Sequence, residues 1–266
     1  MQGNKWRKLH RVIARIQEQH IPGIITFGGP FSNYLHAVAL AGQYFGLGTA
    51  AIVRGTAADP SNPTLSDVLR AGMDIHPVTK AIYQQKENAP EIQAILERYP
   101  DYLVVPEGGA TADGVLGAAE ISREIRSAGL PVERLFVAVP AGTGSTAAGI
   151  LAGLEGRGAV MVFPAAYYGV TRASIQALLR EAGFDGYDNF TLQNDYIMGK
   201  FARPAPKIID FARQFEQQNG FPLDPIYTSR MMFGLFDLLA RRAFPPGSVI
   251  VAVHTGGLQG WRGRSD

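Results

Sequence analysis

Leu135–Leu151, reading LFVAVPAGTGSTAAGIL, decides how the rest of the chain is read. Leu135 and Phe136–Val139 form an apolar run, mostly β-branched or aromatic, of the kind found in strands buried on both faces of a parallel sheet. Ala141-Gly142-Thr143-Gly144-Ser145-Thr146 follow as a glycine-rich loop, and Ala147, Ala148 and Gly149 open a helix with small residues. Strand, glycine loop and helix start in succession aim several backbone N–H groups and the positive end of a helix at one point. Such a point binds an anion, most often a phosphate. Thr143, Ser145 and Thr146 add hydroxyl donors. A tight turn with a good N-cap leaves the same trace, so the remaining sequence has to discriminate.

Composition sets the bounds. A chain of 266 residues, 46% hydrophobic and 18% charged, can bury a large core in one long domain or two short ones. Its net charge of +2 is spread along the chain and gives no support for a nucleic-acid or membrane-surface partner. The absence of cysteine excludes disulfides, thiol catalysis and cysteine metal sites. No apolar run approaches the roughly 18 residues needed to span a bilayer, and no compact secretory signal is visible. A cytoplasmic protein is the simplest expectation.

Outward from the glycine loop, strand and helix signals alternate along the chain. Asn4 is a candidate N-cap for a helix running to about Gln19. Lys5, Leu9, Val12 and Ile16 fall on its inward stripe, while Lys8, Arg11 and Arg15 take the other face. A lysine on an inward stripe must reach solvent, find a partner, or be held as an imine. Residues 23–27 read as a strand, then Gly28-Gly29-Pro30-Phe31-Ser32-Asn33 as a second loop, with Ser32 or Asn33 capping the helix over 34–45. Strands are expected over 49–54, 74–78, 102–105, 159–163 and 249–253. Helices are expected over 64–72, 79–99, 114–128, 171–182, 207–218 and 228–243, with 185–198 irregular. This alternation means mostly parallel sheets with right-handed crossovers, with ligands at the carboxyl ends of the strands.

The candidate ligands separate on chemistry. A nucleoside triphosphate wants a lysine and a hydroxyl residue late in a longer loop, and here Ala147-Ala148-Gly149 follow. A dinucleotide wants an acidic residue at the end of the next strand, which instead ends Phe163-Pro164-Ala165-Ala166. Pyridoxal phosphate wants an anion cradle and a lysine for its Schiff base, and Lys5 meets that need. The five histidines show no metal spacing, and Thr143 stands where a G-x-S-x-G motif needs glycine.

Five ordered motifs then carry a resemblance. They are Gly3-Asn4-Lys5-Trp6-Arg7-Lys8-Leu9, Ser32-Asn33, Gly142–Gly149, Asp224-Pro225-Ile226-Tyr227-Thr228 and His254-Thr255-Gly256-Gly257. Together, over nearly the whole chain, they resemble the 1-aminocyclopropane-1-carboxylate deaminase / D-cysteine desulfhydrase family of pyridoxal-phosphate enzymes. The resemblance implies the tryptophan-synthase-β fold type: two three-layer α/β/α domains with mostly parallel sheets and the cofactor in the cleft between them. It implies that Lys5 carries the cofactor, Asn33 bonds the ring hydroxyl, and Gly142, Thr143, Gly144, Ser145 and Thr146 cradle the phosphate. It puts Thr255 at the pyridine nitrogen, Tyr227 near the ring or substrate, and Ser32 at the substrate carboxylate or α-proton, with Asn4 structural and His254 orienting a loop.

Departures narrow the expectation. Thr228 stands where the cyclopropane-opening enzymes have glutamate, as in the D-cysteine type. Phe201 replaces a tyrosine of the family, and Tyr34-Leu35-His36 replace a polar pair and an arginine. Family members also carry some tens of residues ahead of the motif that here begins at Gly3, so the expectation is either a start upstream of Met1 or a fold lacking a piece of the larger domain. The expected domains are 11–113, and 1–10 with 114–266. The expected function is lyase or deaminase action on a small amino acid, D-cysteine-like before aminocyclopropane carboxylate, in a homodimer. The alternatives are a catalytically impaired cofactor-binding protein, motivated by Phe201 and the short start, and a nicotinamide-dependent oxidoreductase.

Overall fold

A computed structural model describes residues 3–55, 61–167, 169–200 and 203–262. The first part of the chain forms α1 (Asn4–Glu18), β1 (Gly23–Gly28), α2 (Asn33–Phe45), β2 (Gly48–Arg54), α3 (Pro63–Arg70), β3 (Asp74–Val78), α4 (Lys80–Gln85), α5 (Pro90–Leu96) and β4 (Leu103–Val105). Then come α6 (Ala112–Ser127), β5 (Leu135–Ala141), α7 (Ser145–Leu154), β6 (Ala159–Pro164), α8 (Arg172–Glu181) and β7 (Phe190–Leu192). The short strands β8 (Gly199–Lys200) and β9 (Arg203–Pro204), then α9 (Pro206–Asn219), α10 (Thr228–Ala240) and β10 (Val249–Ala252), complete it.

Two compact units result. Of the described residues, 9–109 and Arg262 form one, and 3–8 with 110–261 form the other. Each holds a four-stranded, wholly parallel sheet, ordered β3-β2-β1-β4 in the first and β10-β5-β6-β7 in the second. The plan is the same in both: the earliest strand of the sheet is flanked by the second and the fourth. Chain direction across the sheet therefore reverses beside β1 and beside β5. In open parallel sheets the ligand crevice lies outside the carboxyl ends of the strands at that reversal.

Alternation along the strands builds the layers. In the second unit Leu135, Val137 and Val139 of β5 and Val160 and Val162 of β6 pack with α6, α7 and α8. The intervening Ala138, Met161 and Phe163 face the opposite way, against Met231 and Leu235 of α10. Every residue of α7 is buried, so this helix is central to its layer rather than amphipathic. In the first unit Ile25, Phe27, Ala50 and Ile52 pack with Tyr83 and Ile92 from α4 and α5. Each fully buried Val, Ile or Leu contributes about 1.5–3 kcal/mol relative to exposure.

Two expectations fail. The helix expected over 79–99 is broken: α4 ends at Gln85, Lys86 takes φ +51°, and α5 restarts with Pro90 in its first turn. Pro90 lacks an N–H and biases Ala89 away from helix, and Ala89 is extended. The stretch 185–198 is not irregular throughout, since it contributes β7 as an edge strand beside β6.

Candidate active site

Ala141 ends β5 and Ser145 begins α7, leaving three residues to turn the chain. Gly144 does so at φ +90°, and a Cβ there would come within 2.8 Å of Val170 Cγ2. No side chain caps α7. Its first N–H groups thus have no intrahelical acceptor and face the reversal point of the sheet, which is the arrangement of an anion site.

The first turn of α1 is laced to this loop. Asn4 Nδ2 donates to Thr146 Oγ1 at 2.6 Å, and Lys8 Nζ donates to Ser145 Oγ at 2.7 Å. Ser145 Oγ lies 3.2 Å from Thr143 Oγ1. Lys5 Nζ donates to Asn4 Oδ1 at 2.9 Å. The backbone of the same turn is pinned from the other side, where Asn4 N–H donates to the Thr255 carbonyl at 3.4 Å. Gly3, at φ +77°, leaves no room for a side chain, since a Cβ would stand 2.3 Å from that carbonyl oxygen.

A second lysine therefore enters the site: Lys8 meets the glycine loop directly, and Lys5 reaches it through Asn4. Lys8, placed on the polar face by the sequence pattern, is buried at 3% exposure. The pattern misleads because Asn4 and Lys8, one turn apart, face hydroxyls rather than apolar side chains, so a polar stripe points inward. Lys5 is itself only part-buried, beside the buried Leu9, Val12 and Ile16. Its amine is nevertheless shielded: burial pulls it down to about 8, against the opposing field of Asp224. Burial, with the Lys5 charge adding to it, pushes the Lys8 amine well below its ordinary range. A buried amine that is poorly charged alone gains most from an anion placed against it.

Tyr227 immediately precedes α10, and its hydroxyl lies 3.2 Å from the position a Cβ on Gly142 would occupy. Its N–H is held by the buried Asp224 carboxylate. Sequence reasoning misses Asp224 as a functional residue; its spacing of four from Thr228, ahead of a helix, is the signal that marks it. Thr255 follows β10, buried at 8% exposure. His254 ties its loop to the connection ahead of α10, with Nε2 at 3.0 Å from the Pro222 carbonyl and Nδ1 accepting from Gly256 N–H at 3.2 Å. The second unit thus brings together Lys5, Gly142, Thr143, Gly144, Ser145, Thr146, Tyr227 and Thr255.

Ser32 and Asn33 belong to the other unit, at the head of α2 beyond the carboxyl end of β1. Ser32 Oγ accepts from the N–H groups of Tyr34 and Leu35 at 3.2 and 3.3 Å, so Ser32 is the N-cap. Its O–H remains available to donate. Phe201 lies outside the described residues. Among the described residues no cluster of His, Asp and Glu could hold a metal, and no helix is long and apolar enough to cross a membrane.

Comparison with known proteins adds to this geometry. A family profile described as pyridoxal-phosphate dependent enzyme matches residues 1–256. The chain is 30% identical over 281 residues to a D-cysteine desulfhydrase of Klebsiella pneumoniae, covering 97% of this chain and 83% of that protein. It is 28% identical over 286 residues to a mitochondrial bifunctional D-cysteine desulfhydrase/1-aminocyclopropane-1-carboxylate deaminase of Arabidopsis thaliana, covering 98% and 70%. Among solved structures, that of an ACC deaminase homologue superposes with a TM-score of 0.84 at 27% identity, covering 97% of this chain and 81% of the other.

Proposed function

The chain belongs to the family of pyridoxal-phosphate-dependent enzymes, and from that premise we propose that it is a lyase that cleaves a small amino acid by β-elimination, D-cysteine-like before aminocyclopropane carboxylate. The observation that carries the reading is the lacing of the Lys5 turn onto the glycine loop through Asn4–Thr146 and Lys8–Ser145. The residues fit the cofactor: a cradle without room for side chains at Gly144, uncapped N–H groups, and two amines whose pKa burial lowers. Gly142, Thr143, Gly144, Ser145 and Thr146 would hold the phosphate with Lys8, Lys5 the aldehyde carbon, Asn33 the ring hydroxyl and Thr255 the ring nitrogen. When bound, pyridoxal phosphate supplies an electron sink for negative charge developing at the substrate α-carbon.

The protein's own part is proton handling and orientation. An amine near pH 8 is close to the working pH, so Lys5 is suited to take the α-proton. Ser32, capping α2 yet free to donate, orients the substrate carboxylate. Tyr227, its hydroxyl beside Gly142, would pack near the ring or reach the substrate. Thr255, a neutral hydroxyl, would not force the ring nitrogen to be protonated, and the milder sink would suit elimination. For D-cysteine the balance is one substrate plus water giving pyruvate, ammonia and hydrogen sulfide. The reading extends to a cytoplasmic homodimer, checked by sizing in solution.

The test is an absorbance spectrum of the purified protein before and after borohydride, with peptide mapping and a panel of D- and L-amino acids. Expected are a band at the visible edge, reduction onto Lys5, and 2-oxo acid with ammonia from D-cysteine that Lys5→Ala abolishes. Protein that stays colourless after incubation with the cofactor sinks the reading. A coloured protein inert across the panel points to a binding protein without catalysis.

A further inference from the structure

The resemblance leaves Asn4 a structural part, yet its carboxamide is the piece of α1 that touches both ends of the candidate site. Asn4 is the first residue of α1 and is buried. Its Oδ1 accepts from Lys5 Nζ at 2.9 Å, and its Nδ2 donates to Thr146 Oγ1 at 2.6 Å. Its backbone N–H donates to the Thr255 carbonyl at 3.4 Å, so the residue is anchored at three points.

The orientation of the carboxamide follows from its partners. A charged lysine amine has hydrogens and no lone pair, so it faces Oδ1. Nδ2 then faces Thr146, whose hydroxyl oxygen accepts and whose hydrogen turns away from Asn4. Thr146 is buried in the first turn of α7, and among the described residues no acceptor takes that hydrogen. It remains to be given to an acceptor at the uncapped first turn of α7, and an oxyanion there is such an acceptor. At the other end, Lys5 has to be a free amine when it takes a proton. A long side chain without a fixed partner spreads over many rotamers, and the Asn4 oxygen gives this one a place to stand.

We propose that Asn4 is a positioning residue that joins the two ends: Oδ1 holds the Lys5 amine whenever it is free, and Nδ2 turns the Thr146 hydroxyl so that its hydrogen is given to the bound phosphate. The proposal rests on the roles assigned above to Lys5 and the glycine loop, yet its test needs no cofactor.

In the cofactor-free chain, pH-dependent acetylation read on the Lys5 peptide gives the midpoint of that amine, expected near 8 in the wild type. Calorimetry with inorganic phosphate reads the cradle. Lys8 on α1 and Asp224 ahead of α10 are the other charged groups that bear on this pair of lysines, and both stay in place throughout. Asn4→Ala removes an acceptor of the charged amine, so the midpoint should fall and Lys5 should be acetylated about threefold or more faster at neutral pH. Asn4→Asp keeps an oxygen on Lys5 and adds a charge, so the midpoint should rise. Both should weaken phosphate binding about tenfold, because neither donates to Thr146. A residue that only supports the fold would move Lys5 the same way in both variants. Thr146→Val should weaken phosphate as much and move Lys5 little, and Asn4→Ala added to it should cost little more phosphate affinity. Shifts of the same sign, an unmoved midpoint in either Asn4 variant, or unchanged phosphate affinity overturns the proposal, as does a wild type that binds no phosphate. Should an Asn4 variant fail to fold, the wild type decides by NMR of isotope-labelled asparagine. Asn4 Nδ2 hydrogens that exchange as fast as those of an exposed asparagine overturn the proposal, and protected ones support it. A protein that binds phosphate yet stays colourless with pyridoxal phosphate defeats the functional reading and leaves these results standing.

Discussion

A single side chain, Lys8, concentrates the tension in the site. It is buried against Ser145, with the Lys5 charge nearby. Both amines have folded-state values below the ordinary 10.5. From about 8 up to 10.5 for Lys5, and over the range by which burial depresses Lys8 below 10.5, the unfolded chain binds more protons than the folded one. Stability of the cofactor-free protein should therefore rise with pH until about 10.5, with a slope of up to ~1.4 kcal/mol per pH unit for each amine. Lys8→Met should flatten that rise in melts followed by circular dichroism and leave the fold intact. The same variant should weaken cofactor affinity by about 10- to 100-fold, the worth of one charge-assisted hydrogen bond. Unchanged affinity would remove Lys8 from the anion site.

Among elements, the pair α6 and α7 is the most demanding. A Cβ on Gly149 would meet Ala118 Cβ at 2.5 Å and the Val115 carbonyl at 2.6 Å, and one on Gly153 would meet the Ala119 carbonyl at 2.4 Å. Ser122 Oγ donates across the seam to the Ile150 carbonyl at 2.7 Å. Gly149→Val should force the helices apart and cost about 1–3 kcal/mol, read as a lowered midpoint in urea. An unaltered midpoint would mean the seam can relax. The strand and helix succession here was legible because β5 and β6 are continuous apolar runs and Gly144 marks the turn. The edge strand β7 was not, since Phe190-Thr191-Leu192 is too short to show a period. Lys5 was legible as an oddity on its stripe. Lys8 was not, because the hydroxyl that receives it lies 137 residues away, and Asp224 shows only through its spacing from Thr228, since its other partners are backbone N–H groups.

For the whole molecule, sequence-distant joins matter more than local ones. Arg262, near the end of the chain, reaches Asp67 on α3, which also accepts from Arg70 and meets His36 at 3.1 Å. Hydrogen bonding to Arg262 is the largest influence holding the Asp67 carboxyl down to about 2. Its contribution is complete above the ordinary value of 3.8 and is lost as pH falls through about 2. Asp67→Asn should cost about 2 kcal/mol at neutral pH and flatten the acid limb of urea midpoints. Arg262→Ala should reproduce part of that loss, and an acid limb indifferent to both would show the join to be ornamental.

The register Val249↔Leu135 carries the same lesson into biosynthesis. β5 leaves the ribosome long before β10, which must still be translated before it can dock, and Thr255 follows later still. At about 5–20 residues per second the nascent chain spends several seconds or more with one flank of its anion crevice bare. On the proposed reading, cofactor capture waits until β10 has docked, and a chain cut ahead of Val249 would carry Lys5 yet lack one wall of its pocket.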